Sequence, residues 1–242
     1  MSERNSGYVV VRFGEREWER RTEDDWPPLV KRMHRDPERD LAVNLIWYAH
    51  GVVEPRHVHG ATHATWVLLG SAEMDGQRIG PHNLIYGPSE VPHGPLRYED
   101  ACLLFGTLAG STLHSAVTSE HEAPLGAEGG VPAHMATSAD KEWESAGHAQ
   151  WPAQAKVLVR DEGRDYTARM VRWPAGSSIP RHQHAETHAA LLVGGVAVVD
   201  GVTLGPWDLL YAPGGAAHGD VTFPVDSTLL VNSVGNLSPS ED

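Results

Sequence analysis

Histidine pairs separated by one residue occur at two places in the chain, and each pair is followed by two further histidines. The two sets are His57, His59, His63 and His93, and His182, His184, His188 and His218. On a strand, residues i and i+2 point to the same face, so each pair can direct two imidazoles at one ion. The third histidine lies close enough in sequence to approach the same point, and the fourth is expected on a neighbouring strand. The pattern predicts two metal sites, one in each half of the chain.

These two sets are equivalent positions of an internal repeat. Residues 55–94 align with residues 180–219 at an offset of 125 without a gap, and 18 of the 40 positions are identical. We therefore predict an N-terminal domain over residues 1–119, a linker over 120–134 and a C-terminal domain over 135–242. The linker segment is rich in Gly, Ala, Pro and Glu. The charged first 40 residues are expected to pack along a barrel edge, with Trp18 and Trp26 as anchors.

The elements that must position these histidines are predicted to be short strands. Apolar, β-branched segments recur at intervals of about 8–12 residues and are separated by turn signals, which is typical of an all-β sandwich or barrel. Asp75-Gly76 and Asp200-Gly201 are dipeptides of tight hairpins, because glycine tolerates the positive φ that such turns require. Helical periodicity is nearly absent.

The sequence resembles the cupin superfamily. The first cupin motif is found from Gly51 through His57, His59 and His63, and the second from Gly80 to His93; both recur in the second half. The resemblance implies two tandem cupin (double-stranded β-helix, jelly-roll) barrels, a bicupin, and favours a homodimer. Both halves carry histidine where cupins commonly carry glutamate, as in three- and four-histidine cupins that look like the diketone-cleaving dioxygenases.

Four neutral imidazoles leave the full charge on a divalent ion, so the sites should favour a small anionic or chelating substrate. An octahedral ion would keep two positions open, enough for a bidentate substrate or for substrate plus dioxygen. We therefore expect a metal-dependent oxidoreductase, a non-haem dioxygenase acting on a diketone-, enol- or carboxylate-like molecule. Fe(II) is the first expectation, and Cu, Ni, Mn and Zn remain open, with up to two ions per chain. The alternatives are a non-redox isomerase, lyase or decarboxylase, a metal that only braces the barrel, and a non-catalytic ligand-binding or sensor module.

Four further residues are candidates for the pocket: Tyr86, Tyr211, Trp66 and Glu186. The two tyrosines match across the repeat and could face a cavity, although filling the core is the more frequent role of such rings. Glu186 lies inside the second motif and could act as an alternative ligand or base. No catalytic residue is assigned beyond the metal ligands.

Composition excludes several classes of partner. The net charge of −13 argues against a grip on nucleic acid or on an anionic membrane. The single cysteine, Cys102, cannot form an internal disulfide, and no signal peptide or membrane-spanning stretch is found. We therefore expect a cytoplasmic protein in which Cys102 is a buried apolar residue.

Overall fold

The computed structural model describes residues 3–5, 7–21, 28–110, 115–117, 131–146 and 151–235, with the backbone alone for 3–5 and 115–117. Trp26, most of the predicted linker and the C-terminal tail lie outside the described residues. The strands up to residue 117 are β1 Glu3–Asn5, β2 Tyr8–Val11, β3 Glu19–Arg20, β4 Leu29–Asp36, β5 Leu41–Tyr48, β6 Val52–Glu54, β7 His57–His59, β8 Thr62–Leu69, β9 Ala72–Met74, β10 Gln77–Ile79, β11 Leu84–Gly87, β12 Leu96–Tyr98, β13 Cys102–Ala109 and β14 Ser115–Val117. The later strands are β15 His134–Ala136, β16 Glu144–Ser145, β17 Gln154–Asp161, β18 Tyr166–Trp173, β19 Ser177–Ile179, β20 Thr187–Gly194, β21 Ala197–Val199, β22 Val202–Leu204, β23 Leu209–Ala212, β24 Val221–Phe223 and β25 Ser227–Val234.

The prediction of an all-β chain is confirmed. The helices among the described residues are 3-10 turns of three residues, Phe13–Glu15, Ser138–Asp140 and Glu162–Arg164. Among the same residues, no helix is long and apolar enough to cross a membrane.

Contacts divide the chain into two compact units. The first unit is Arg16–Ser138, and the second unit joins Met1–Glu15 to Ala139–Asp242. The chain therefore begins in the second unit, builds the first unit, and then returns. The bounds 1–119 and 135–242 follow the repeat along the sequence and do not anticipate this return.

The first unit contains two main sheets. One has seven strands in the order β15-β11-β8-β13-β5-β4-β3, and the other has four in the order β10-β9-β12-β6, while β14 pairs with β7 separately. Strand β8 lies between β11 and β13 and is buried at every position except its last, because both of its faces are covered.

The second unit repeats this arrangement. Its sheets run β1-β2-β23-β20-β25-β18-β17-β16 and β19-β24-β21-β22. A core of large apolar residues fills each unit, with Leu104, Ile85 and Tyr98 in the first and Leu192, Phe223 and Trp173 in the second.

The first strand of each half pairs inside the unit that the other half builds. Val9 of β2 lies opposite Tyr211 of β23, and His134 of β15 lies opposite Tyr86 of β11. The two strands occupy equivalent positions at the offset of 125, so the structural repeat extends beyond the segment in which the sequence repeat is visible. Of the N-terminal segment, β2 pairs with β23 and extends that sheet, whereas β3 and β4 belong to the seven-stranded sheet of the first unit.

The hairpin turns are where the sequence predicts them. Asp75 and Gly76 have φ of 52° and 76°, and Asp200 and Gly201 have φ of 47° and 85°. Two consecutive residues with positive φ characterise the tight turn that matches the twist of paired strands. Each turn joins two three-residue strands, β9 to β10 and β21 to β22.

Candidate metal centre

Backbone pairing brings the first and fourth histidines of each set together. The N–H of His57 donates to the carbonyl of His93 at 3.0 Å, and the N–H of His93 donates back to His57 at 2.9 Å. His182 and His218 form the same reciprocal bridge at 3.0 and 2.8 Å. His93 is thus held by an isolated bridge between β11 and β12, where the sequence predicts a strand.

In the first unit the four imidazoles converge. The Nε2 atoms of His57 and His59 are 2.9 Å apart, and those of His63 and His93 are 3.2 Å apart. The ring of His59 lies edge-on to that of His63, with 4.7 Å between centroids. One potential ligand atom from each of His57, His59 and His93 falls within 4.8 Å of the other two, and His63 completes the cluster beside them.

The second unit carries the same cluster. The Nε2 atoms of His182 and His184 are 3.1 Å apart, and these two residues form a group with His218 in which the potential ligand atoms lie within 4.8 Å of one another. His188 packs against His184 and His218, with ring centroids 4.7 and 4.9 Å away. Both sets of four predicted from the sequence are therefore brought together.

Hydrogen bonds at the outer ring nitrogens orient the ligand lone pairs inward. The Nδ1 of His57 donates to the carbonyl of Pro55 at 2.8 Å, and that of His93 to Val91 at 3.1 Å. A carbonyl can only accept, so both rings donate from Nδ1, and the neutral tautomer with that proton presents a bare lone pair on Nε2. His182 and His218 make the equivalent bonds to Pro180 and Ala216.

Burial lowers the pKa of five of the eight histidines. The pKa values of His59, His63 and His188 are held well below the ordinary value, first by burial and then by neighbouring histidines. Burial also lowers the pKa of His93 to about 3, and that of His218 falls for the same reason. A neutral imidazole is the form that binds a metal.

The donor set fits a transition metal. Two nitrogens that each lie about 2.1 Å from one ion are about 3.0 Å apart at a right angle and about 3.4 Å apart at the tetrahedral angle. The separations of 2.9, 3.1 and 3.2 Å between inward nitrogens are close to these values. Lone pairs that face each other at such distances repel, and a cation between them removes the repulsion. The two histidine groups can therefore hold metal ions, and the donor type suits Fe, Cu, Ni or Zn.

An arginine beside each HxH pair fixes the loop that carries the fourth histidine. Arg56 donates to the carbonyls of Gly94 and Pro92, at 3.2 and 3.5 Å. Arg181 donates to the carbonyl of Gly219 at 3.0 Å and forms an ion pair with Asp200 at 3.4 Å. These side chains point away from the metal cluster, so they position its loop rather than contact a ligand.

A cavity of about 530 Å³ opens beside the first cluster. Glu54 projects into it, is only 7% exposed, and has Oε1 3.5 Å from Nε2 of His57. The hydroxyl of Tyr98 donates to Oε2 of Glu54 at 3.1 Å, and the ring of Tyr98 stacks on Tyr48. Burial, and then the charge of Glu54, raises the pKa of Tyr98 well above its usual value, so this hydroxyl remains a donor. The arrangement places a buried carboxylate where it can take up or return a proton next to the metal cluster.

Cationic side chains line the same cavity. Arg21 and Arg32 are among its walls, and Arg35 also lines it while pairing with Asp40 at 2.7 Å. Together with a divalent ion they would draw an anionic substrate to this side of the unit.

A cavity of about 270 Å³ lies beside the second cluster, and its walls differ. Ile179 and Phe223 stand at the positions equivalent to Glu54 and Tyr98, so the buried carboxylate and its donor are missing from these walls. Arg169 and Glu186 supply charge instead.

Of the four candidate pocket residues, Glu186 lines a cavity and the other three lie in the core. Tyr86 and Trp66 are fully buried and Tyr211 is 1% exposed, and none of them is among the described residues that line either cavity. The reason is the alternation of side chains along a strand. Ile85 faces the first cavity, so Tyr86, the next residue on β11, faces away from it.

Glu54, Tyr98 and Arg169 were not predicted from the sequence. A signal was present, because each departs from its equivalent at the offset of 125: Glu54 from Ile179, Tyr98 from Phe223 and Arg169 from Asn44. Glu54 and Tyr98 are polar where Ile179 and Phe223 are apolar, and Arg169 is charged where Asn44 is neutral, so each marks a position where the two pockets differ.

Residues 132–238 match the protein-family model described as the ChrR cupin-like domain. This part of the chain is therefore similar to a cupin domain. It contains the whole second set of histidines and the strands from β15 to β25. No curated protein matches the chain by sequence.

Solved structures with this fold cover nearly all of the chain. A candidate dioxygenase from Nostoc punctiforme has a TM-score of 0.81 at 14% identity and covers 98% of this chain and 86% of its own. A candidate glyoxylate-induced protein from Pseudomonas aeruginosa has a TM-score of 0.68 at 14% identity, covering 98% and 92%. A variant of the oxalate decarboxylase of Bacillus subtilis has a TM-score of 0.63 at 16% identity, covering 97% and 78%. These likenesses establish the fold.

Proposed function

We propose that the chain is a bicupin metalloenzyme in which each half forms a cupin domain and holds one divalent transition metal on four histidines. The observation that carries this proposal is the pair of histidine clusters in which inward Nε2 atoms lie 2.9 to 3.2 Å apart. His63 and His188 act as fourth ligands in the two clusters.

The reaction we propose is that of a non-haem dioxygenase acting on a small chelating molecule of the diketone, enol or carboxylate type. The similarity in fold to the candidate dioxygenase of Nostoc punctiforme supports this choice. A ferrous ion in such a site supplies a Lewis acid for the bound anion and a redox partner for dioxygen.

The first cavity is the proposed place of reaction, because the chain provides acid–base groups there. A diketone or enol must lose a proton to bind as an anion, and Glu54 is 3.5 Å from Nε2 of His57, within reach of a molecule bound at the cluster. The hydroxyl of Tyr98 fixes the orientation of that carboxylate. Arg21 and Arg32, which also line this cavity, attract the anion.

The proposal is tested by elemental analysis of protein purified anaerobically, followed by oxygen uptake with a panel of 1,3-diketones such as pentane-2,4-dione. Two iron atoms per chain in the wild type and one in both His57→Ala and His182→Ala are expected, with substrate-dependent oxygen uptake lost in His57→Ala. Protein that binds no transition metal after reconstitution, or that retains both ions in the two variants, would contradict the proposal.

A second candidate keeps the metal and removes the redox step. The buried pair of Glu54 and Tyr98 suits proton transfer in a lyase or decarboxylase, and the similarity in fold to an oxalate decarboxylase is consistent with this. Turnover of a carboxylate or diketone under strict anaerobiosis favours this candidate, whereas strict dependence on dioxygen favours the first.

A further inference from the structure

Three aromatic rings form one wall of the second cavity. Trp173 and Phe223 stack with 4.8 Å between ring centroids and 8° between planes, and Trp151 packs beside Trp173 at 6.2 Å. Trp151 also lies 5.4 Å from the ring of His182, so this wall reaches the metal cluster. Flat apolar surfaces of this kind bind a planar ring through its face or its edge.

One cation interrupts this apolar lining. Arg169 projects from β18 into the cavity, and its Nε is buried without a hydrogen-bond partner. Burial lowers the pKa of this guanidinium, while the field of Glu186 acts in the opposite direction. A guanidinium nevertheless remains charged at neutral pH, and leaving a donor of a buried charged group without a hydrogen bond has an energetic cost. A ligand that supplies an acceptor there would remove that cost.

Size and chemistry together define the ligand. A volume of about 270 Å³ lies below the range of about 300–1,000 Å³ that holds drug-sized ligands, so a molecule with a single ring fits. A carboxylate matches the planar fork of a guanidinium with two parallel hydrogen bonds. The aromatic wall accounts for the rest of such a molecule.

We propose that the cavity of the second unit binds a small aromatic carboxylate, with its carboxylate on Arg169 and its ring against Trp151, Trp173 and Phe223. This ligand class goes beyond the substrates of the proposed oxygenase reaction. Binding of the ligand depends on the walls of the second cavity and does not require turnover. The second cluster then belongs to a ligand-binding site, while the first belongs to the site of reaction.

Titration calorimetry of the full chain with benzoate tests this inference, with the protein both as purified and after chelation. We expect one benzoate per chain in the wild type, at least tenfold weaker binding of benzyl alcohol, which lacks the charge, and at least tenfold weaker binding of acetate, which lacks the ring. Arg169→Gln should weaken benzoate binding at least tenfold. The matched control is Arg172→Gln on the same strand, whose exposed guanidinium lies over Trp143 and bonds Gln154, and it should leave binding unchanged.

A second variant guards against misfolding of Arg169→Gln. Ile179→Glu places a carboxylate where the first cavity already holds Glu54, and it should abolish benzoate binding by repelling the anion. Arg21→Gln, in the first cavity, should bind benzoate like the wild type. Absence of benzoate binding to the wild type at 10 mM overturns the inference, as does a folded Arg169→Gln that binds normally, or loss of binding in Arg21→Gln. Benzoate binding without any oxygen uptake would refute the proposed reaction and leave this inference intact.

Discussion

The two cavities have equivalent histidines and an equivalent stacked pair of aromatic rings, and they differ in volume and in their charged groups. The first has a buried acid and its donor, Glu54 and Tyr98, a volume of about 530 Å³ and several arginines among its walls. The second has Ile179 and Phe223 at the same positions, a volume of about 270 Å³ and one buried cation, Arg169.

The histidine clusters and the cavity walls therefore have separate roles. Imidazoles held by equivalent backbone bridges, His57 to His93 and His182 to His218, specify that both units can bind a metal. The walls determine which molecule can approach it and whether a proton acceptor is at hand. A duplicated metal site therefore does not imply a duplicated activity.

The largest effect is expected when the acid of the first cavity is removed. Glu54→Gln keeps the shape and the acceptor for Tyr98 but cannot take up a proton, so turnover should fall by about 10²–10⁴-fold, the usual contribution of general acid–base catalysis. Steady-state oxygen uptake over a range of pH measures this. Metal content should be unchanged.

The matched control is Glu186→Gln, which removes the carboxylate of the second cavity and should leave turnover within twofold. An equal loss of turnover in Glu54→Gln and Glu186→Gln would contradict the assignment of the reaction to the first cavity. Loss of metal together with turnover in Glu54→Gln would make Glu54 part of the cluster instead.

The reactivity of the single cysteine offers a probe of the first unit alone. Cys102 is fully buried on β13, and its equivalent in the second unit is Ser227, which carries no thiol. Burial, aided by Asp100, raises the pKa of the Cys102 thiol to about 12. The reactive thiolate is therefore scarce until the pH approaches 12, and a rise of about three units should slow alkylation about 10³-fold at pH 8.

Iodoacetamide labelling at pH 8, followed by mass spectrometry in native buffer and in guanidinium chloride, measures this ratio. Native labelling as fast as that of the unfolded chain would mean that β13 is not packed as described.

A smaller effect is expected from the glycine beside His63. A Cβ on Gly87 would clash with Nε2 of His63, so Gly87→Ala must displace that ring. The equivalent residue in the second unit is Ala212. We expect metal affinity at the first cluster to fall by about 10- to 100-fold. The larger loss is expected if the ring of His63 leaves the cluster entirely.

Competition titration with a chelating dye, in the His182→Ala background so that the first cluster alone binds, measures this affinity. Ala212→Gly in the His57→Ala background is the control and should not weaken the second cluster. An unchanged affinity in Gly87→Ala would show that His63 is not a ligand.

The smallest effect on metal affinity is expected from Thr65, which contacts the ring of His63. The Nδ1 of His63 lies 3.1 Å from the hydroxyl of Thr65, whereas the equivalent residue of the second unit, Ala190, has no hydroxyl. Outer partners of a ligating histidine orient the ring, so Thr65→Ala should lower the metal affinity of the first cluster by about tenfold. Ala190→Thr should raise that of the second, and the same dye titrations would detect either change. A Thr65→Ala variant with the metal affinity of the wild type would show that the contact between Thr65 and His63 does not affect metal binding.

The grouping of the eight histidines, the all-β class and the hairpin turns could all be predicted from the sequence. Local rules suffice for these features, because an HxH pair on an extended segment must share a face, and an Asp-Gly pair readily adopts the positive φ of a tight turn. The internal repeat strengthened these predictions, because the same pattern occurs twice in the chain at an offset of 125 residues.

The residues that surround the histidine clusters could not be predicted without the tertiary structure. Glu54 and Tyr98 are 44 residues apart and meet because β6 pairs with β12, a contact that no local pattern encodes. Tyr86 turned out to be a core residue because the register of β11 assigns the cavity to Ile85. The pairing of β2 with β23 likewise joins residues about 200 positions apart. Strand pairing over such separations depends on the shape and burial of whole sheets. For that reason the histidines could be predicted from the sequence, whereas the residues around them could not.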